Sequence, residues 1–451
     1  MQITETSSDG LKRTLQVVVP AGELGKRFDE RLDSLKDRVQ LKGFRKGKVP
    51  VPHLKKMYGR SVMVEVLQET VRDTSNQALA DRQMRPAMQP DISLPEEQDE
   101  IERVLSGQAD LAYSMSFEVL PAIELTDFSK LELERLVADV DDEALNKAVG
   151  ELVDRSITYT PDEARPAEKG DRVTIDFVGK IDGEAFEGGT AEAAPIVLGE
   201  GNFIPGFEDG LMGAKTGDER DVPATFPADY PVATLAGKAA NFAVTVKEVA
   251  SPARPEVNDE FAKSLGAESV DQLKDLVKQQ IAREYGNVTR MKLKRQLLDQ
   301  LEKSHTFELP SSLVDSEFAS IWQQLEANLT QSGKSFADEG KSEDETREEY
   351  RRIAERRVRL GLVIGEIADK NELKITQDEM RKALIEQARR FPGQEKTVYE
   401  YYEKNPGALA ELRAPIFEDK VVDFVLEKAK PVEKKVSKDE LFQKSEEAGE
   451  A

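Results

Sequence analysis

At 451 residues the chain exceeds what one ordinary hydrophobic core holds, and about three domains are expected. Its formal charge of −23 repels nucleic acid except where basic residues gather locally, and the absence of cysteine removes thiol nucleophiles, disulfides, Cys-based zinc sites and iron–sulfur ligation. Only two histidines occur, His53 after Val-Pro in a basic stretch and His305 at the end of a charged helical stretch; neither sits in a triad context, so both read as surface or helix-terminal residues.

The first ten residues carry no basic segment followed by an apolar run, and no stretch approaches about 18 consecutive apolar residues. No secretory signal and no membrane span are therefore expected, and the chain reads as cytoplasmic. Residues 1–112 open with an alternating strand, Leu11 to Val19, ended by Pro20. Helices are predicted near 21–40 and 50–82, the second started by Pro50, with strands near 84–92 and 111–119. This is an α+β domain. Between its two helices, Leu41-Lys-Gly-Phe-Arg-Lys-Gly-Lys-Val-Pro50 forms a basic loop. Lys36 through Arg60 hold nine basic residues against the single acid Asp37, a local +8. Gly43 and Gly47 stop the helix and permit a tight tip, which displays Phe44 beside Arg45 and Lys46. An aromatic anchor flanked by arginine suits docking, and the charge suits a phosphate-rich partner.

Residues 113–155 form a connector that enters a helix near 141–155. From 156 to 249 the chain is dense in turn signals, among them Asp182-Gly183, Gly188-Gly189, Pro205-Gly206 and Gly217-Asp218, separated by short apolar runs. This is a β-rich unit. Ser251-Pro-Ala-Arg-Pro255 reads as a stiff linker. From 250 to 432 the pattern is helical, with apolar stripes through Val270, Leu273 and Val277, through Phe318, Trp322 and Leu329, and through Ile353, Val358, Leu362 and Ile367. These helices are long and charged, which favours paired, extended arms. For Trp322, Leu325, Leu329, Val363, Ile364 and Phe391, helix packing is the better reading than a binding surface. The acidic tail, 433–451, lacks enough apolar residues to order itself.

The middle unit reads Asp171-Arg-Val-Thr-Ile-Asp-Phe-Val-Gly179, then Asp182-Gly-Glu-Ala-Phe-Glu-Gly-Gly189, Leu198-Gly-Glu-Gly-Asn-Phe-Ile-Pro-Gly-Phe207, Phe226-Pro-Ala-Asp-Tyr230 and Asn241-Phe-Ala-Val-Thr-Val246. In this order and spacing it resembles an FK506-binding-protein-type peptidyl-prolyl isomerase domain. The resemblance implies a twisted antiparallel sheet over one short helix, here about 206–213. It also implies a pocket lined by Phe177 and Phe186 and closed on one side by Phe242. Phe203 and Ile204 would bound the proline ring, the Ile204 N–H donating to the peptide carbonyl. Phe207 takes the floor position where many members have tryptophan, Glu187 stands where they commonly have aspartate, and Tyr230 offers a hydroxyl at the rim. Val232 falls where another aromatic is common, and the Pro231–Gly237 loop is short, so the resemblance implies prolyl turnover rather than binding of the drug.

Gly-Phe-Arg-Lys-Gly-Lys-Val-Pro ahead of such a unit and a long helical C-terminus resembles bacterial trigger factor over essentially the whole chain. That resemblance implies a multidomain α+β fold: an α+β ribosome-binding domain, the twisted-sheet isomerase domain and an extended all-α chaperone domain with long helical arms. It further implies that Gly43, Phe44, Arg45, Lys46 and Gly47 dock the chain on an exit-tunnel ribosomal protein and the adjacent ribosomal RNA. Nascent and unfolded polypeptides would be the clients, with a homodimer forming off the ribosome. No cofactor or metal is implied. With no Gly-x-x-x-x-Gly-Lys-Ser/Thr loop present, no nucleotide would drive release. Two other classes stay open: a binding scaffold on an inactive isomerase fold, and a hydrolase using carboxylate pairs, for which no distinctive motif stands among 87 Asp and Glu residues.

Overall fold

Alternation of apolar and polar residues organises the N-terminal strands, and the computed structural model, which describes residues 1–36, 49–95, 97–162, 165–228, 230–232, 234–333, 335–336 and 342–443, shows where they pair. In chain order the elements begin β1 (Gln2–Asp9), β2 (Lys12–Val19), α1 (Ala21–Lys36), α2 (Val51–Asp81), β3 (Asp91–Ser93), α3 (Gln98–Leu105), β4 (Leu111–Glu118) and β5 (Glu134–Val137). They continue with α4 (Asp142–Arg155), β6 (Thr158–Pro161), β7 (Arg172–Ile181), β8 (Glu184–Val197), α5 (Phe207–Leu211), β9 (Glu219–Thr225) and β10 (Ala239–Ala253). The remainder are α6 (Asp259–Ser264), α7 (Val270–Ser304), α8 (Ser311–Ser332), α9 (Glu343–Lys370), α10 (Gln377–Arg389), α11 (Glu395–Lys404), α12 (Pro406–Ala429), β11 (Val432–Lys435) and α13 (Lys438–Phe442). Two compact units result: Met1–Leu136 with Arg290–Lys434, and Val137–Thr289 with Lys435–Gln443.

In the first unit the sheet runs β1-β2-β4-β3, all pairs antiparallel. Leu111, Tyr113, Met115 and Phe117 of β4 alternate inward beside Leu15, Val17 and Val19 of β2, and α2 covers them with Ala78. The boundary expected at residue 112 therefore cuts a strand, because that inward alternation continues to Phe117. The strand expected at 84–92 is reduced to β3, with a single bridge between Pro86 and Val119. β1 has no counterpart in the expectations; it is an exposed edge strand whose only well-placed apolar residue is Ile3. The helical part packs Leu297 and Leu301 of α7, Val363 and Ile367 of α9, and Val421 and Val425 of α12 into one core with Leu131 and Leu133. Burying each such side chain contributes roughly 1.5–3 kcal/mol. α9 and α10 both start with a capping box, Ser342 with Glu345 and Thr376 with Glu379.

His305 is buried rather than surface-exposed: its Nε2 accepts the Thr126 N–H at 3.2 Å and its Nδ1 lies 2.7 Å from the Leu301 carbonyl oxygen. The polar imidazole is tolerated there because both nitrogens are partnered. Trp322, Leu329, Val363 and Ile364 are buried, whereas Phe391 is exposed.

The second unit contains the sheet β6-β10-β7-β8, with β9 on β10. Ser251-Pro-Ala does not form a linker but continues β10, paired antiparallel with β6, where Pro252 stands opposite Tyr159. A helical subcore joins Val149 and Val153 of α4, Phe261 of α6, and Leu273 and Val277 of α7. Residues 433–443, expected from composition to lack order, form a strand and a short helix. β11 pairs with β5, and α13 buries Leu441 and sets Phe442 edge-on to Tyr285 at 5.5 Å. Two apolar anchors and a strand partner outweigh a charged composition there. Among the described residues, no helix is long and apolar enough to cross a membrane.

Candidate functional site

β7 lies between β8 and β10, and its pleat places Val173, Ile175 and Phe177 on the face that meets α5. The β7–β8 ladder slips twice. Ile175 stands opposite Ala194 and Phe177 opposite Ala191, a bulge at which Ala193 takes a φ of 50° and donates its N–H to Asp176 Oδ1 at 2.8 Å. Hydrogen bonds from Lys247 and then from Ala193 hold the Asp176 carboxyl below its usual range. The second slip is larger: Val178 faces Thr190 but Lys180 faces Ala185, so residues 186–189 leave the ladder.

That excursion carries Phe186 over the sheet, and two glycines make room for it. A Cβ on Gly179 would lie 2.6 Å from Phe242 Cε1 and 2.8 Å from Phe186 Cε1; one on Gly189 would lie 2.8 Å from Phe186 Cε2. Both approaches are closer than carbon atoms tolerate, so the ring is clamped between two bare backbones.

The rings then converge. Phe242, on β10 opposite Gly179, meets Phe207 at 5.0 Å, Phe177 at 5.9 Å and Phe186 at 6.1 Å, each edge-to-face. Phe203 stacks on Phe207 at 5.4 Å, and Phe226 joins Phe186 at 5.8 Å and Tyr230 at 4.8 Å. Phe207, on α5, is 1% exposed and forms the floor, whereas Phe203 at 38% forms part of the lip. The floor helix is fixed by Gly206, whose φ of 88° starts it, and by Gly210, where a Cβ would lie 2.5 Å from Val222 Cγ1. Arg220 closes its far end, donating to the Met212 and Gly213 carbonyls at 2.9 and 2.8 Å.

Phe177, Phe186, Glu187, Phe203, Ile204, Phe207, Tyr230 and Phe242 all line one hollow of about 540 Å³. Its walls are aromatic and its polar groups sit at the rim. The Ile204 carbonyl accepts the Phe207 N–H at 3.1 Å, but the Ile204 N–H has no acceptor among the described residues, and neither does the Tyr230 hydroxyl. Such an arrangement strips water from an apolar ligand while presenting donors to a carbonyl. Phe226, Leu235 and Asn202 also line it without having been expected there; a phenylalanine before Pro227 reads in sequence as ordinary core. Gly43, Phe44, Arg45, Lys46 and Gly47 lie outside the described residues, between α1 and α2.

Larger hollows occur in the first unit. One, of about 650 Å³, is occupied at its edge by the Arg85–Asp369 ion pair; another, of about 620 Å³, is lined by Leu67, Val71, Leu79, Ile92 and Val104; a third, of about 570 Å³, lies between α8 and α9 and is lined by Ile321, Leu325, Tyr350 and Ile353. None of the three gathers several rings as the hollow of the β unit does. Among the described residues, no group of His, Cys, Asp and Glu could hold a metal ion.

Comparison with known proteins gives a consistent result. Residues 1–152 match the family described as bacterial trigger factor protein (TF), residues 269–427 its C-terminus, and residues 163–247 FKBP-type peptidyl-prolyl cis-trans isomerase. A protein named Trigger factor from Parvibaculum lavamentivorans is 53% identical over 443 residues, 98% of this chain and 86% of its own length. Another of that name from Afipia carboxidovorans is 51% identical over 447 residues, 99% of both chains. A solved structure described as "Promiscuous Substrate Recognition in Folding and Assembly Activities of the Trigger Factor Chaperone" shares the fold at a TM-score of 0.59 and 23% identity, covering 95% of this chain and 100% of that one.

Proposed function

From the premise that this chain belongs to the trigger factor family and carries an FKBP-type peptidyl-prolyl isomerase unit, we propose that its aromatic hollow turns over X-Pro bonds of nascent polypeptides. The observation that carries this reading is the convergence of Phe177, Phe186, Phe207 and Phe242 on one hollow, with two donors at its rim that have no acceptor among the described residues.

Amide rotation costs ~18–20 kcal/mol because resonance must be broken, and the twisted imide has a more basic nitrogen and a less polarised carbonyl. No acid, base or covalent nucleophile is required. Water stabilises the planar, polarised form best, so an apolar enclosure favours the rotated one. Phe207 and Phe242 form the enclosure, Phe203 and Ile204 bound the proline ring, and the Ile204 N–H and Tyr230 hydroxyl hold the peptide carbonyl while it turns. Glu187 stands exposed at the rim and adds a polar boundary.

We further propose that the chain works in the cytoplasm on the ribosome, without ATP. The basic tip Gly43-Phe44-Arg45-Lys46-Gly47 would hold it against an exit-tunnel ribosomal protein and nearby rRNA, tethering it where clients emerge. Off the ribosome the chain would pair as a homodimer. Docking is tested by co-sedimenting ribosomes with wild type and with the triple variant Phe44→Ala/Arg45→Ala/Lys46→Ala. The variant is expected to stay in the supernatant, and equal pelleting removes the docking claim. The chemistry is tested by adding full-length chain, without nucleotide, to a proline peptide. Acceleration is expected, reduced about tenfold by Phe203→Ala/Tyr230→Phe; no acceleration by wild type leaves a scaffold on an inactive fold.

A further inference from the structure

Beneath the lip of the hollow lies a carboxylate that the ring geometry does not use. Residues 199–203 lead from β8 toward α5, and Gly199 and Gly201 there take φ values of 90° and 71°. Glycines in that region leave the loop little preference for one path. Glu208, in the first turn of α5, reaches back under it. Its Oε2 accepts the N–H of Gly199 at 2.8 Å and of Gly201 at 3.2 Å, and its Oε1 accepts that of Phe203 at 3.3 Å. Burial alone would push the Glu208 carboxyl up, but the amides of Gly201, Gly199, Phe203 and Asn202 together hold it below its usual range. Asp209, its neighbour on the same turn, is exposed and makes no side-chain hydrogen bond among the described residues. A general preference for acid at a helix start therefore does not account for Glu208.

The fixed loop ends at the two residues that face the ligand. Phe203, anchored by its N–H, lies flat on Phe207, and Ile204 follows it with an N–H that has no acceptor among the described residues. We propose that Glu208 is a positioning residue for prolyl isomerisation. By gathering the Gly199, Gly201 and Phe203 amides it sets the path of the loop, and with it the aim of the Ile204 N–H and the Phe203 ring at the turning bond. Charge-assisted hydrogen bonds of this kind are roughly twice as strong as neutral ones, which suits a clamp on a glycine-rich segment. This proposal rests on the isomerase reading of the hollow.

The test is turnover of a chromogenic Phe-Pro tetrapeptide by the full-length chain, read with amide hydrogen exchange. Glu208→Ala is expected to lower kcat/KM about tenfold. Glu208→Gln keeps an oxygen for the glycine amides but turns an NH2 toward Phe203, and a loss of about threefold is expected. Asp209→Asn is expected to match wild type. Exchange at Gly199, Gly201 and Phe203 should quicken in Glu208→Ala and slow again at the two glycines in Glu208→Gln, with β7 and β10 unchanged throughout. An active wild type whose Glu208→Ala form keeps turnover within twofold overturns the positioning role and leaves the isomerase reading standing. If Glu208→Ala unfolds the β unit, the Gln variant decides, and wild-type turnover from it overturns the role. An inactive wild type overturns the isomerase reading and this inference with it.

Discussion

Two groups of aromatic rings in this protein pack at similar centroid distances, 5.3–6.4 Å around Trp322 and 5.0–6.1 Å around Phe242, and end with opposite properties. In the helical part, Trp322 of α8 stacks on Phe318 at 5.7 Å and Phe336 at 5.3 Å, meets Tyr350 edge-on at 6.4 Å and lies under Arg347 at 4.5 Å. Its indole N–H is satisfied by Glu326 at 2.7 Å, and the ring is only 7% exposed. Those rings pack on one another, and the hollow of about 570 Å³ between α8 and α9 takes in only Tyr350 of them. In the β unit, the rings of Phe177, Phe186, Phe207 and Phe242 surround a space they do not fill. On regular helices, side chains at spacings of three and four lie close enough to pack ring on ring, as Phe318 and Trp322 do. The β unit prevents this through its backbone, because the two ladder slips and the bare faces of Gly179 and Gly189 pin the rings at the edges of a void. Aromatic residues make a binding hollow only where the main chain keeps them from meeting.

Removing one ring from each cluster separates their roles. Phe242→Ala is expected to cost the β unit about 3–5 kcal/mol and to abolish prolyl turnover, because Phe242 touches three other rings. Trp322→Ala is expected to destabilise by about 3 kcal/mol while leaving turnover within twofold of wild type. Urea unfolding and a peptide assay on both variants check this. Loss of turnover on removing Trp322 would mean that the two clusters are not separate in role.

A gentler change sharpens the role of the backbone. Gly179→Ala adds one methyl where Phe242 and Phe186 already stand within 3 Å, so the rings must move into the void. Turnover is expected to fall about tenfold for a stability loss of about 1–3 kcal/mol. Circular dichroism together with the peptide assay distinguishes closure of the hollow from unfolding.

The smallest effect concerns helix packing alone. Hydrogen bonds from Lys420 and then from Thr376 lower the Glu379 carboxyl from 4.5 to about 2. A carboxyl depressed on folding contributes stability above its unfolded value, and that contribution is lost as pH falls through the folded one. Glu379→Gln should therefore be slightly less stable than wild type at neutral pH. The difference should shrink between pH 4.5 and about 2 in urea melts, with turnover unaffected.

Much of this was legible in the chain. Leu111 to Phe117 alternates plainly, the stripes through Leu273, Trp322 and Ile367 announce helices, and the ring residues stand at recognisable spacings from Gly179, Gly189 and Gly206. What was not legible depends on partners far away in sequence. β1 and β11 carry too few apolar residues to read as strands and exist because β2 and β5 offer them an edge. The clearance function of Gly179 appears only once β7 lies against Phe242, 63 residues later by number (242 − 179). Glu208 reads as an ordinary acid at a helix start until the loop is seen folded onto it. Leu441 escapes an acidic tail's composition because one buried leucine and one phenylalanine suffice to dock a short helix.

The β unit's aromatic hollow lowers the barrier to prolyl rotation by enclosing the bond and holding its carbonyl, with no covalent step. Magnetisation-exchange NMR on a Phe-Pro peptide, with substoichiometric full-length chain and no nucleotide or metal, measures that directly. The expected result is a cis–trans exchange rate that rises in proportion to the chain added and falls back toward the uncatalysed value with Gly179→Ala. An exchange rate that stays at the uncatalysed value with wild-type chain present would contradict the account.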